Sequence, residues 1–159
     1  MEEANKLLLP YRSEALIKIV SRMLIDSLLD PIFIVTGYEH DKVVKILPKS
    51  LDNIIYNKDW RKGMSSSIYK AISSLPANID GNMIVLGDMP LITVKTLNEL
   101  KSVFLSNNGE KIIYAEYFGK QANPVIFPKK YFKEMLLLKG DNGCKDIISQ
   151  NRKNTLGVS

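Results

Sequence analysis

The segment Leu86-Gly87-Asp88-Met89-Pro90 places a carboxylate between an apolar run and a tight turn. A carboxylate in that position can hold Mg²⁺, which in turn neutralises the phosphates of a nucleotide. Asp88 also reads as an ordinary turn residue or helix cap. A second segment runs Asn57-Lys58-Asp59-Trp60-Arg61-Lys62-Gly63-Met64-Ser65-Ser66-Ser67. A glycine followed by serines at a helix start offers backbone N–H groups, hydroxyls and a positive helix end, all suited to a phosphate or a base. Arg61 and Lys62 add charge. A capped helix start behind a solvated basic loop accounts for the same residues. In Asn5-Lys6-Leu7-Leu8-Leu9-Pro10, Lys6 could reach a phosphate as a point charge, or simply lie on the surface. Gly140-Asp141-Asn142-Gly143-Cys144-Lys145 makes a tight turn into a helix, able to hold an anion or merely to turn the chain. Cys144 reads as a small buried residue, and His40 as a surface or capping residue.

These residues need elements to position them. The apolar spacing of Leu16, Ile17, Ile19, Val20, Met23, Leu24 and Leu28 predicts a helix over 13–29, capped by Ser13 and stopped by Asp30-Pro31. The continuous apolar run 32–36 reads as a strand buried on both faces. Further strands are expected over 53–56, 82–86, 111–117 and 124–127. Helices are expected over 41–47, 64–75, 93–105, 129–138 and 144–149. Strand and helix alternate, so the fold class is α/β with a mostly parallel sheet. No internal repeat or linker interrupts 1–159, which reads as a single domain. In open parallel sheets ligands bind beyond the carboxyl ends of the strands. The loops at 37–38, 57–67, 87–90 and 119–123 are therefore the candidate site.

Composition narrows the functional classes. The chain has 159 residues, 45% of them apolar and 25% charged, which excludes wholesale disorder. Its net charge of +5 fits a protein that handles phosphates. No basic stripe with interleaved aromatics points to nucleic acid. One cysteine excludes an intrachain disulfide and any multi-cysteine zinc site, and one histidine excludes a His-rich metal site. No apolar run reaches the roughly 18 residues of a membrane span. The acidic start Met1-Glu2-Glu3 lacks the basic region of a signal peptide, so a cytoplasmic location is expected.

Taken together and in order, the motifs resemble the molybdenum-cofactor nucleotidyltransferases of the MobA-like NTP transferase group. The resemblance covers about residues 5–149 and is strongest to the cytidylyl branch, CTP:molybdopterin cytidylyltransferase. It rests on Asn5 to Pro10, Asp30-Pro31 to Thr36-Gly37, and Asn57 through Gly63-Met64-Ser65-Ser66-Ser67. It continues through Leu86 to Pro90, Asn123-Pro124-Val125-Ile126-Phe127 and Gly140 to Gly143. It implies a Rossmann-like three-layer sandwich of the nucleotide-diphospho-sugar transferase type. The implied reaction joins a nucleoside monophosphate, CMP rather than GMP, to the terminal phosphate of molybdopterin and releases pyrophosphate. By position, Lys6 would touch the nucleotide phosphates and Asp88 would hold Mg²⁺, making these the catalytic pair. Asn57, Gly63, Ser65, Ser66 and Ser67 would line the nucleotide pocket. Asn123, Pro124 and Asp141 would face the pterin. The implied partners are CTP or GTP, molybdopterin and a molybdoenzyme.

Three departures from the family pattern stand out. Family members begin with a strand and a glycine-rich loop, L-A-A-G-x-S-x-R-M-G, which wraps the triphosphate. Here only Met1-Glu2-Glu3-Ala4 precede Asn5, and Met1 would correspond to the methionine of that loop. An acidic D-I-D-T-P-E-D-like segment, which can supply a second metal ligand, is absent after Ser159. Asn123 stands where Gly-His-Pro is frequent. The first strand belongs in the middle of the sheet, so without it strands 32–36 and 82–86 are expected to lack a shared neighbour. Open apolar edges of that kind invite pairing with another chain, such as a homodimer. The expectation is a chain shorter than the ancestral domain, begun at an internal methionine or belonging to a degenerate paralogue. The competing function is accordingly a non-catalytic nucleotide- or pterin-binding, dimerising domain.

Overall fold

The computed structural model describes residues 4–159. Met1, expected to match the loop methionine, lies with Glu2 and Glu3 outside the described residues. A 3₁₀ turn, Lys6–Leu8, leads into a short hairpin of β1 (Pro10–Tyr11) and β2 (Glu14–Ala15). Its turn residues Arg12 and Ser13 have φ of 49° and 72°, the left-handed pair that matches the twist of a two-residue hairpin. Ser13 is thus spent on the turn and does not cap α1 (Leu16–Asp26), which begins after Ala15. Ile17, Val20, Ser21 and Leu24 form the buried stripe of α1. Then follow β3 (Ile34–Thr36), α2 (His40–Ile46) and β4 (Ile54–Tyr56). Next come α3 (Met64–Ser74), β5 (Gly81–Ile84) and α4 (Val94–Ser106). Thr93 caps α4 as expected, its Oγ1 accepting the Thr96 N–H at 3.1 Å. The chain closes with β6 (Ile112–Tyr117), β7 (Lys120–Pro128), α5 (Phe132–Met135), α6 (Lys145–Gln150) and β8 (Thr155–Val158).

The strands form a parallel pair, β3 with β4, and a larger sheet in the order β5-β7-β6-β8. Among the described residues, strands β3 and β5 share neither a ladder nor a neighbouring strand. The α/β class holds, but the larger sheet is mixed rather than mostly parallel. Phe118 and Gly119 close a tight turn at φ of 49° and 70°, which makes β6 and β7 antiparallel, while β6 and β8 run parallel. β7 starts earlier than the apolar run suggests. A register shift leaves Asn123 and Pro124 opposite no residue of β6, so a proline without an N–H falls where the ladder needs no donor. β8 follows a polar stretch and is not legible from its own pattern. Gly157 permits it, since a Cβ there would lie 2.8 Å from the Tyr114 ring.

Period-two alternation in β6 splits the core into layers. Ile112 packs with Phe127, Ile68 of α3, Met135 of α5 and Ile147 of α6. Ile113 faces Leu100 and Phe104 of α4 on the other side. A third cluster joins Ile17 and Val20 of α1 to Ile34, Val43 and Leu97, with Met83 and Val85 against it.

Candidate functional site

The loops that leave β3, β4 and β5 converge beyond the carboxyl ends of these strands. Gly37 follows β3 and carries no side chain because Trp60, from the loop after β4, occupies the space. A Cβ at Gly37 would lie 2.5 Å from the Trp60 Cβ. Tyr38 then meets the Trp60 ring, with centroids 5.2 Å apart, and the Arg61 guanidinium lies 4.4 Å from that ring, within cation–π range. Asn5 ties the entry segment to the same place, its Nδ2 donating to the Tyr38 carbonyl at 3.0 Å. Its Oδ1 accepts from the Leu7 N–H and caps the 3₁₀ turn that displays Lys6. Leu7 in turn packs on the loop after β5, and a Cβ at Gly87 would lie 2.9 Å from its Cδ2. Lys6 and Asp88 therefore sit on adjoining segments, and both are exposed. Neither takes part in an ion pair among the described residues.

The start of α3 is organised differently from the sequence expectation. Its leading N–H groups are not open to an anion. The Met64 N–H donates to Asp141 Oδ1 at 3.0 Å, and the Ser65 N–H to the Gly140 carbonyl at 3.0 Å. The loop 140–143, read as a possible anion turn, serves as the cap of α3. Gly63 makes this possible. Its φ is 96°, and a Cβ there would lie 2.6 Å from Asp141 Oδ1 and 2.8 Å from the Gly140 carbonyl carbon. Asp141 thus meets the start of α3. Asn57 is fully buried and its amide binds Ser66, Ser67 and the Asp59 N–H. Asp59 pairs with Lys62 at 2.8 Å, which holds its carboxyl below the usual range.

A cavity of about 420 Å³ opens beside this cluster, lined by Asn57, Ser65, Ser66, Tyr69, Lys70 and Lys139 among others. Lys6 and Asp88 do not line it. Asn123 is exposed and Pro124 buried within β7, and neither bonds to the residues above. Sequence reasoning missed the Tyr38–Trp60–Arg61 stack, although each residue stood in a candidate loop. It also missed Lys70 and Lys139, which only tertiary packing brings to one cavity. His40 is more than a surface residue. Its Nδ1 lies 2.5 Å from Thr36 Oγ1, and its ring stacks on Tyr56 at 4.3 Å.

A model of the MobA-like NTP transferase domain matches residues 1–155. The chain belongs to this family. The nucleotidyltransferase class expected from the motifs stands with it. No curated protein matches the chain. Among solved structures, the Rv0371c protein of Mycobacterium tuberculosis H37Rv in complex with manganese superposes with a TM-score of 0.84 at 22% identity, covering 98% of this chain and 83% of that one. The 4-diphosphocytidyl-2C-methyl-D-erythritol synthase of Anaerococcus prevotii superposes at 0.71 with 12% identity, over 94% of this chain and 78% of its own. A cytidylyltransferase from Leptospira borgpetersenii superposes at 0.71 with 18% identity, over 96% of this chain and 68% of that one. At these identities the likeness carries the fold of this MobA-like domain, and the family match carries its class. No helix among the described residues is long and apolar enough to cross a membrane.

Proposed function

We propose that this MobA-like domain transfers a nucleoside monophosphate, CMP in preference to GMP, from its triphosphate to the terminal phosphate of molybdopterin, releasing pyrophosphate. The reaction would serve molybdenum-cofactor biosynthesis in the cytoplasm and hand its product to a molybdoenzyme. The observation that carries the proposal is the packing of Leu7 on Gly87, which sets Lys6 and Asp88 on adjoining segments at the strand ends. A point cation and a free carboxylate there are the two charges a triphosphate and its metal require. The cytidylyl relatives support CTP as the donor. Among the described residues β3 pairs only with β4 and β5 only with β7, which supports pairing with a second copy.

In this mechanism an oxygen of the molybdopterin phosphate attacks the α-phosphorus in line, a new P–O bond forms, and the α–β bridge breaks to release pyrophosphate. The attacking oxygen is already anionic, so the protein supplies positioning and charge neutralisation rather than a covalent nucleophile. Lys6 would bind the phosphates. Asp88 would hold Mg²⁺, which when bound neutralises phosphate charge. The donor set fits this ion. A carboxylate such as Asp88 suits Mg²⁺, which keeps most of its waters and takes its remaining ligands from substrate phosphates.

Thermal denaturation tests the proposal. CTP with Mg²⁺ should raise Tm, either alone should raise it less, and Asp88→Ala should abolish the joint effect. A chain whose Tm responds to no nucleotide would refute the reading.

A further inference from the structure

The cavity of about 420 Å³ beside α3 is lined by an excess of cations. Lys62 comes from the 3₁₀ turn after β4, Lys70 from the second turn of α3, and Lys139 from the loop between α5 and α6. The Ser65 N–H donates to the Gly140 carbonyl at 3.0 Å, which seats Lys139 beside the first turn of α3. Among the described residues that line the cavity, Asp59 is the one carboxylate, and it pairs with Lys62 at 2.8 Å. Lys70 and Lys139 make no ion pair among the described residues. Three ammonium groups against one carboxylate leave two positive charges on the same space. A cleft lined by one sign of charge concentrates the opposite ion. Ser65 points the same way independently. It is only 7% exposed, it lines the cavity, and its hydroxyl has no hydrogen-bond partner among the described residues. A buried hydroxyl without a partner is costly, and the cavity is its outlet. Ser66 is different, because its hydroxyl is spent on the Gly63 carbonyl at 2.8 Å. The helix end is not the attraction either, since the Met64 and Ser65 N–H groups already donate to Asp141 and Gly140. Leu138 and the half-exposed Tyr69 ring add apolar surface to the same wall.

We propose that this cavity is a second anion site, which binds a phosphate monoester apart from the nucleotide. Lys70, Lys139 and the Ser65 hydroxyl hold the phosphate, and the organic body rests on Tyr69 and Leu138. A phosphate monoester carries a charge of about −1.5 to −2 at pH 7, which matches the excess on the wall. Lysines suit it as point charges. The volume is within the ~300–1,000 Å³ of small-molecule sites, so it has room for more than inorganic phosphate. Lys6 and Asp88 do not line the cavity. The site is therefore separate from the two charges assigned above to the triphosphate and its metal, and it does not rest on that assignment.

Calorimetric titration of the full chain with phenyl phosphate at pH 8 and low salt tests the proposal. Phenyl phosphate should bind with one-to-one stoichiometry, inorganic phosphate more weakly, and phenol not measurably. Lys70→Gln and Lys139→Gln should each weaken phenyl phosphate about 10-fold, the low end for a hydrogen bond to a charged group. Ser65→Ala should weaken it about 3- to 10-fold. Lys133→Gln, which changes a lysine outside the cavity, should leave the affinity as it is. Saturating CTP with Mg²⁺ should also leave it as it is. A wild type that binds no phenyl phosphate would overturn the proposal, as would equal losses in Lys133→Gln and Lys70→Gln, which would mean diffuse attraction to a basic surface. Inorganic phosphate binding as tightly as the ester would overturn the assignment to an organic phosphate. Displacement of phenyl phosphate by CTP would merge the cavity with the nucleotide site and overturn its separateness, while leaving the transferase reading intact.

Discussion

Cys144 lies in the same apolar cluster as Phe127, Met135 and Ile148, and burial pushes its thiol up to about 12. The thiolate is the reactive form, so native Cys144 should be inert. Against an ordinary thiol value of 9.0, the thiolate fraction at pH 8 falls by roughly a thousandfold. Labelling by a thiol reagent at pH 8 should therefore be slow in the native chain and fast in urea. The linkage has a definite sign. Between about pH 9 and 12 the folded chain holds a proton that the unfolded chain has released, so this contribution to stability is complete below pH 9 and declines as pH rises through that window. Reading Cys144 as small and buried, rather than as a nucleophile, was possible because its sequence neighbours do not suggest a reactive thiol. Asn57 was not so legible. Its residue type suggests a ligand contact, whereas its hydrogen bonds to Ser66 and Ser67 depend on how closely β4 approaches α3.

At the scale of elements, the periodic helices were legible because their buried stripes are written in the spacing, as in α1 and α4. The capping of α3 was not, because its partner lies 77 positions away in sequence. Two substitutions test that cap. Asp141→Ala removes the acceptor of the Met64 N–H and should cost about 1 kcal/mol in urea denaturation. Gly63→Ala forces a Cβ toward both Asp141 and Gly140 at a φ of 96°, so it should cost more. Because both act on one contact, the double variant should cost less than the sum. The hairpin of β6 and β7 was half legible. Gly119 marks its turn, but the early start of β7 needed the register shift that accommodates Pro124.

In the whole molecule, β6 couples the layers through Ile112 and Ile113, both entirely buried. Ile113→Ala should cost about 2–5 kcal/mol, because packed neighbours on α4 cannot fully close the cavity. A loss well below 1 kcal/mol in urea denaturation would mean that this layer is loosely packed. The sequence by itself determined the α/β alternation, the strand-end loops and the family motifs, because helix and strand periods and turn residues are local properties. Only the tertiary structure decided how strand directions mix and that β3 and β5 share no ladder. It also decided that the α3 start is closed by Asp141 while Lys6 and Asp88 stand on adjoining segments. Each of these is a contact between distant positions, set by which apolar faces pack and which backbone groups find partners, and no local pattern encodes it.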